Sequence, residues 1–326
     1  MKPGANRTKR VIVVLLAIIL PAAAAVGATL LSINVFEWYG WSMFLAVPFA
    51  QGFATSLLLR VAGPHSCGNC LVVASIGMVA YAFGLLIIGV EGLLCIFMAA
   101  PIEFPALLLG AGLGYWLVHK RAERSIIAPL ILVFVAVPAL MAIEKATASE
   151  APVFEVSTFL DIDAPPEVVW QNAISMDNLP PPDDWVLRTG LACPIRSHVE
   201  GTGVGATRRC MLTTGPLEER IEVWEEPRKF GWTTVSNPPP LKEMNPFRET
   251  NPPHLDGYFE SLYGEFEFIP LEWGRTRLVR RTSYRHNMYP AAYWRLWCDF
   301  GVERTHTYVM RNVKRLSENA AIKASD

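Results

Sequence analysis

The residues with the clearest potential for chemistry lie near the end of the chain, on one predicted helix. Asp299, Glu303 and His306 are spaced i, i+4, i+7, so a helix places them in one line. A carboxylate beside an imidazole can transfer protons, as enolising and dehydrating a substrate requires. Tyr284 and His286 end the preceding predicted strand and could be partners. Two interpretations stay open: a catalytic group of His306, Asp299 and Tyr284, or a satisfied polar network that anchors helix to sheet.

Other residues of this half could bind a ligand without transforming it. Aromatic residues are dense, and although most should be core, some should line a cavity and favour flat or acyl ligands. Arg208 and Arg209 alternate faces of a predicted strand, so at most one points inward, to pair with Glu219 or Glu222 or to bind an anionic headgroup. The ligand-binding candidates are Trp170, Arg208, Tyr263, Tyr284, His286, Trp297, Asp299, Glu303 and His306.

Motifs for metal, cofactor or serine chemistry are absent from the sequence. There is no HExxH, no GxSxG and no metal-ligand triad, and the glycines of 201–206 precede a predicted strand and lack a βαβ unit. The pair Cys67 and Cys70 forms a CxxC without a second pair, so we interpret it as two loop thiols, with a zinc site shared across a dimer as the alternative. We expect no metal, no cofactor and no disulfide scaffold.

The elements that would position these side chains follow from alternation and turn residues. A strand over 153–162 precedes a helix that begins near 164, and the last element is one long helix over about 289–318. Between them we predict strands near 205–214, 217–226, 229–236, 257–270 and 274–286. This order predicts an α+β helix-grip domain, an antiparallel curved sheet around a long C-terminal helix. Such an arrangement encloses a cavity, the usual place for a ligand.

Several stretches of this half are similar to a known superfamily. The segment Ala164–Trp170 resembles the start of START-like (SRPBCC) domains, which include polyketide cyclases and lipid-transfer proteins. Further stretches resemble a membrane-attached branch of it: Gly201–Arg208, the Glu219–Trp224 strand, Pro252–Leu255, Tyr263–Phe266, Gly274–Leu278, and Tyr293–Asp299 with His306. The resemblance implies the fold and a cavity for a hydrophobic ligand. It implies no particular catalytic residue, because the superfamily contains both enzymes and binders.

The first part of the chain is almost continuously apolar. Residues 1–143 contain five segments long enough to span a membrane, over 11–32, 39–59, 71–90, 93–118 and 125–143. A small-residue linker over 144–152 leads to the START-like domain, which we place over 153–320. Residues 151–326 carry 20 basic and 24 acidic side chains, which argues against nucleic acid as a partner.

Basic residues in the loops between spans predict an orientation. Lys and Arg concentrate on the side of the N-terminus, including 119–124, and only Lys145 lies on the other side. We therefore expect the N-terminus in the cytoplasm and, after five spans, the C-terminal domain outside it, in a plasma (inner) membrane.

Two acidic residues of the membrane half are candidate polar sites. Glu91 lies in a glycine-flanked turn, which indicates the membrane interface. Glu103 lies between Pro101 and Pro105, and two prolines this close should kink the fourth helix or make it re-entrant. Glu103 would then form hydrogen bonds with the freed backbone groups, or it would contact a lipid headgroup or a proton. The glycines of 110–114 have the GxxxG spacing of close helix packing, which also allows a homo-oligomer.

Three functions are compatible with this sequence. The first is a membrane-anchored domain that binds or transfers a lipid, isoprenoid or polyketide-like molecule, with the long proline-rich loop over 237–254 as a lid. The second is an aromatase/cyclase-type enzyme that uses polar groups of the cavity. The third is a membrane sensor or assembly protein. The lack of a complete catalytic constellation favours the first.

Overall fold

The chain forms two compact units. The computed structural model describes residues 3–120 and 126–325. The helical unit comprises Met1–Glu150, Glu243–Pro253 and Met288–Pro290, and the sheet unit comprises Ala151–Lys242, His254–Asn287 and Ala291–Asp326. The basic residues Arg121 and Arg124, which contribute to the predicted orientation, lie outside the described residues.

Five long helices make up most of the helical unit. They are α1 (Pro3–Asn34), α2 (Val47–Leu59), α3 (Cys67–Ile88), α4 (Leu93–Lys120) and α5 (Ile127–Ala146), with short helical turns at Ser42–Ala46 and Arg60–Ala62 around α2. Among the described residues, five helical stretches that contain them are long and apolar enough to cross a membrane. A helix satisfies its own backbone hydrogen bonds, which is why apolar segments of this length adopt it in lipid. The five predicted spans are thereby confirmed as helices, and the last continues to Ala146 rather than ending at 143.

The expected break in the fourth helix is not formed. α4 runs continuously from Leu93 to Lys120 with Pro101 and Pro105 inside it. Pro21 and Pro138 also lie inside α1 and α5. A proline removes one backbone donor, and inside a helical bundle neighbouring side chains and small local adjustments satisfy the freed carbonyls. A re-entrant segment at Glu103 was therefore the wrong expectation.

Glycines bring α2 and α4 into close contact. A Cβ atom at Gly110 would lie 2.0 Å from the carbonyl oxygen of Phe49, and one at Gly52 would lie 2.0 Å from that of Leu107. Gly114 is also close to α2, with 2.8 Å from its missing Cβ to a backbone oxygen. The GxxxG spacing therefore serves helix packing within the chain, as predicted.

Residues 243–253, the larger part of the proline-rich segment that we expected to act as a lid, belong to the helical unit. The Glu243 carboxylate accepts hydrogen bonds from the backbone N–H groups of Leu94 (3.2 Å) and Cys95 (3.0 Å), at the start of α4. The Arg248 guanidinium donates to the carbonyl oxygen of Ile88 (2.7 Å), at the end of α3. Helix ends leave such backbone groups unpaired, and acidic and basic side chains suit the start and end respectively. This segment therefore caps two helices.

The sheet unit consists of seven strands and two helices. The strands are β1 (Val153–Ile162), β2 (Pro194–Glu200), β3 (Thr207–Leu212), β4 (Gly215–Glu225), β5 (Lys229–Ser236), β6 (Phe259–Leu271) and β7 (Arg275–His286), and the helices are α6 (Pro166–Ile174) and α7 (Ala291–Ser325). The sheet is antiparallel throughout, in the order β1-β7-β6-β5-β4-β3-β2. It curls around α7, so the predicted helix-grip fold is confirmed. The prediction did not include β2, a short strand at the sheet edge.

An aromatic core fills part of the space between this sheet and the helices. Trp170 of α6 lies at its centre and contacts Trp224, Phe230 and Phe268 at ring-centroid distances of 5.3–5.5 Å. Val309, Met310 and Val313 of α7 complete the cluster. Residues of β4, β5, β6 and β7 that alternate toward this core define the inner face of the sheet.

Candidate functional site

A band of polar side chains crosses the inner face of the sheet. Arg280 and Thr282 point inward from β7 because they lie two residues apart, on the same face of the strand as the buried Leu278 and Tyr284. Thr158 on β1 lies opposite Arg280 in the register, and Arg208 on β3 lies opposite Glu219 on β4. Opposed residues of an antiparallel pair share one face. The band thus joins four strands, and α7 adds His306 to it.

His306 links α7 to the end of this band that lies on β1 and β7. Its side chain is 1 % exposed. Its Nδ1 lies 3.1 Å from the hydroxyl of Thr158, and its Nε2 lies 2.8 Å from the hydroxyl of Thr282. A hydroxyl can donate or accept, so a neutral imidazole is satisfied at both nitrogens in either tautomer. The interpretation as an anchoring network therefore fits His306 better than that of a free base.

The charge state of His306 follows from its surroundings. Burial lowers the pKa of the imidazole well below its usual value, and the positive charge of Arg280 lowers it further. A buried group that cannot be hydrated avoids the charged form. His306 is therefore neutral at physiological pH.

Arg208 and Glu219 form a buried ion pair, one of the two pairings that the sequence predicts. Both side chains are 4 % exposed or less, and the Arg208 Nη1 contacts the Glu219 Oε2. The Arg208 guanidinium also stacks over Trp232, 4.4 Å from the ring centroid. Burial opposes the charge of Arg208, but Glu219 outweighs it, so the pKa of Arg208 is raised. Each charge of this pair thus has its counter-charge.

No carboxylate lies within ion-pair distance of Arg280 among the described residues, and the main negative charge that acts on it is that of Glu219, which already pairs with Arg208. The Arg280 side chain is half-buried, and neither its Nε nor its Nη1 has a hydrogen-bond partner among the described residues. The guanidinium carbon lies 5.2 Å from the ring centroid of Phe266. Burial, and then the nearby charge of Arg208, lowers the pKa of Arg280 to about 10. It therefore remains a cation at neutral pH.

A second polar group lies further along α7. The Tyr284 hydroxyl donates to Asp299 at 2.5 Å, and the Arg295 Nε contacts the other carboxylate oxygen at 3.0 Å. Burial, and then the bond to Asp299, raises the pKa of Tyr284. His286 is fully buried beside Tyr284 and stacks on Phe154 at 5.1 Å. The structure therefore brings Tyr284 and Asp299 together, as the sequence suggests, but joins His306 to two threonines.

Glu303 does not belong to the polar line predicted for α7. It is exposed, as is Leu296, which we expected to face the core. At 3.6 residues per turn, Glu303 and Leu296 lie about 60° and 80° from His306 around the helix, on the same side. The buried stripe continues in the other direction, through Val309 and Val313. The helical spacing of Glu303 and Leu296 is compatible with the buried face of α7, but the sequence does not show how far that face extends around the helix.

Two aromatic candidates lie in the core and on the outer face of the sheet. Trp170 is part of the core described above. Tyr263 lies on the outer face of β6, where its hydroxyl donates to Glu265 at 3.0 Å, and Glu265 also contacts Lys229 and Arg281. A register shift lies between Ser261 and Tyr263, and from Tyr263 onward the strand alternates regularly, so Tyr263 shares its face with Glu265 and not with the inward Phe266. Trp297 is half-buried on α7.

The acidic candidates of the membrane half lie in the helical unit. Glu91 is buried in the turn between α3 and α4 and accepts a hydrogen bond from the Tyr39 hydroxyl at 3.3 Å. Glu103 is buried on α4.

Cys67 and Cys70 lie in the first turn of α3 rather than in a loop, and both are free thiols.

Comparison with known proteins extends only to the fold. No family model matches the chain, and no curated protein matches it. Among solved structures, norcoclaurine synthase from Thalictrum flavum is 9 % identical (53 % of this chain, 99 % of that chain, TM-score 0.35). The Zhui aromatase/cyclase from Streptomyces sp. R1128 is 14 % identical (52 % and 96 %, TM-score 0.35), and TTHA0849 from Thermus thermophilus is 16 % identical (51 % and 99 %, TM-score 0.34). These similarities cover about half of the chain.

Proposed function

We propose that this protein is a membrane-anchored helix-grip protein whose sheet unit binds a hydrophobic small molecule, a lipid, isoprenoid or polyketide-like compound. The observation that carries the proposal is accessible surface on the inner face of the sheet. Leu217, Thr234, Arg280 and Thr158 share that face with fully buried neighbours and are themselves only half-buried. α7 therefore does not cover this region as it covers the aromatic core. Space beside an apolar wall is what a ligand site of this fold needs.

The state of His306 favours binding over cyclase chemistry. An acid–base residue must exchange a proton with the substrate within hydrogen-bond distance. Both ring nitrogens of His306 already have hydroxyl partners, and its charged form is disfavoured. Asp299 is likewise engaged by Tyr284 and Arg295.

The helical unit supports a role close to lipid. Besides its five apolar helices, it contains an apolar cavity of about 700 Å³ between α1, α2 and α5, which acyl or prenyl chains would fit. A tether to the bilayer raises the concentration at which the sheet unit meets ligands dissolved there.

We extend the proposal to the orientation that the basic residues predict, with the N-terminus cytoplasmic and the sheet unit outside. An alkaline phosphatase fusion after residue 326 should be active, and an inactive but stably produced fusion would contradict this orientation.

Neighbouring threonines on β5 provide a matched test of the binding site. Thr234 points to the inner face and is half-buried, whereas Thr233 is exposed on the outer face. The full chain would be purified from membranes and its small molecules extracted for mass spectrometry. A hydrophobic compound should accompany the unmodified protein and Thr233→Phe at equal stoichiometry, and Thr234→Phe should lose it because the ring fills the space. Equal recovery from both variants, or none from the unmodified protein, would refute a ligand site here.

A further inference from the structure

We propose that the ligand is an amphiphile with a single negative charge, of the class of long-chain carboxylates, and that Arg280 binds its acidic head. This inference rests on the proposed function, since it assumes that the inner face of the sheet unit holds a ligand. It adds the chemistry of the ligand and the residue that recognises it.

The charges along the polar band leave one positive charge uncompensated. Arg208 and Arg280 are two cations beside the single carboxylate of Glu219, which is in direct contact with Arg208, and His306 is neutral. Burial raises the pKa of the neighbouring Cys210 thiol to about 11, so it contributes no negative charge at neutral pH. Arg280 remains. A desolvated cation without a partner is costly, and a bound anion would remove that cost.

Other arginines of β7 show how Arg280 differs. Arg281 on the outer face contacts Glu265 at 2.6 Å and Glu267 at 2.8 Å. Arg277 contacts Asp161 at 2.7 Å, and Arg285 contacts Glu260 at 2.6 Å. These three are at or near the surface, where water also stabilises their charge. Arg280 is less hydrated, yet it has an aromatic ring beside it and no carboxylate within ion-pair distance among the described residues.

The surroundings of Arg280 specify the ligand further. A guanidinium presents a planar set of donors that matches a carboxylate, and one carboxylate cancels one charge. The Nε and Nη1 donors are unpaired but have almost no accessible surface, whereas the rest of the side chain retains some, so a head group would approach Arg280 through that accessible part. Phe266 borders the guanidinium on the inner face, where the apolar tail would begin.

A comparison of oleate with oleyl alcohol distinguishes binding of the acidic head group from binding of the apolar tail. The two probes share one chain, but only oleate carries a charge at mildly alkaline pH. Binding of each tritiated probe would be measured on the full chain in nanodiscs, with empty nanodiscs as background. Arg280→Gln removes the proposed contact. Arg285→Gln removes one positive charge from the exposed outer face of the same strand and serves as the matched control.

Arg280→Gln should weaken oleate binding about tenfold or more, the loss of a charge-assisted hydrogen-bonded pair. Its binding of oleyl alcohol should be unchanged, and Arg285→Gln should match the unmodified protein with both probes. Because Arg280→Gln removes an unpaired buried charge, the melting temperature of the empty protein should not fall. A fall would assign Arg280 a structural role and overturn the inference. Arg280→Lys, which keeps the charge, should restore part of the oleate affinity if the contact is to the head.

The failures are distinguishable. Oleate binding that is equal in Arg280→Gln and the unmodified protein overturns the role of Arg280 and leaves a hydrophobic site in place. Binding of the alcohol but not of oleate overturns the negative head in the same way. Binding of neither probe to the unmodified protein overturns this inference, and a lack of any co-purified compound would then overturn the proposed function as well.

Discussion

Replacing His306 with asparagine should change how the stability of the sheet unit depends on pH. At neutral pH the substitution removes at least one of two hydrogen bonds and leaves a buried threonine hydroxyl unpaired, which costs about 1–3 kcal/mol. The imidazole is neutral in the folded protein at pH values where it is protonated in the unfolded chain, whose pKa is near 6.5. Below pH 6.5 the unfolded state therefore binds an additional proton, and the folded state loses stability as the pH falls.

The size of this loss follows from one pKa unit being worth about 1.36 kcal/mol. For as long as His306 stays neutral in the folded state, the unmodified protein loses at most this amount for each pH unit below 6.5. His306→Asn has no such loss. The stability advantage of the unmodified protein over the variant should therefore be largest above pH 7 and shrink on acidification.

Urea unfolding of the full chain in detergent, followed by tryptophan fluorescence, measures this difference. Seven of the ten tryptophans lie within residues 151–326, so the signal reports mainly on the sheet unit. His198→Asn, at an exposed histidine of β2, is the control for the substitution itself. An advantage that stays constant or widens between pH 7.5 and 4.5 would show that folding does not lower the pKa of His306, and would refute its assignment as a neutral anchor.

Three further substitutions test the packing and the buried charges. Gly110→Ala should lower the melting temperature of the helical unit because its Cβ would lie 2.0 Å from a backbone oxygen of α2, whereas Gly112→Ala, with no atom within 4 Å, should preserve or raise it; equal effects would contradict the close contact. Trp170→Ala should destabilise the sheet unit by about 3–5 kcal/mol in urea unfolding, and a loss below about 1 kcal/mol would place Trp170 outside the core. Glu219→Gln should cost about 3–5 kcal/mol because Arg208 keeps a buried charge, while the double variant with Arg208→Met should recover most of it; a double variant as unstable as the single one would contradict the pair.

The architecture could be predicted from the sequence because the patterns that indicate it lie within single segments and extend over many residues. Apolar stretches of about 20 residues predict helices of the membrane type. The alternation of β7, with Leu278 and Tyr284 inward and Arg281 and Arg285 outward, predicts a strand with one buried face. Alternation also predicts that at most one of Arg208 and Arg209 points inward, and Arg208 does so, opposite Glu219, one of its two candidate partners.

The site was less predictable because it depends on the register of strands far apart in the chain. A register shift in β6 lies between Ser261 and Tyr263 and is not marked in the sequence, although Tyr263 itself shares the outer face with Glu265. The band of Thr158, Thr282 and His306 joins β1, β7 and α7 through pairings that no local pattern encodes. Arg280 could have been found: it and Arg281 are adjacent on a strand, so the rule applied to Arg208 and Arg209 sends one of them inward.

A high-resolution structure of the full chain purified from its own membranes tests the central claim most directly. If the sheet unit binds a hydrophobic ligand, elongated density will occupy the inner face beside Thr158 and Thr234, with its polar end within hydrogen-bond distance of the Arg280 guanidinium. An inner face filled only by protein side chains or ordered water, with no such density, would contradict the proposed binding function.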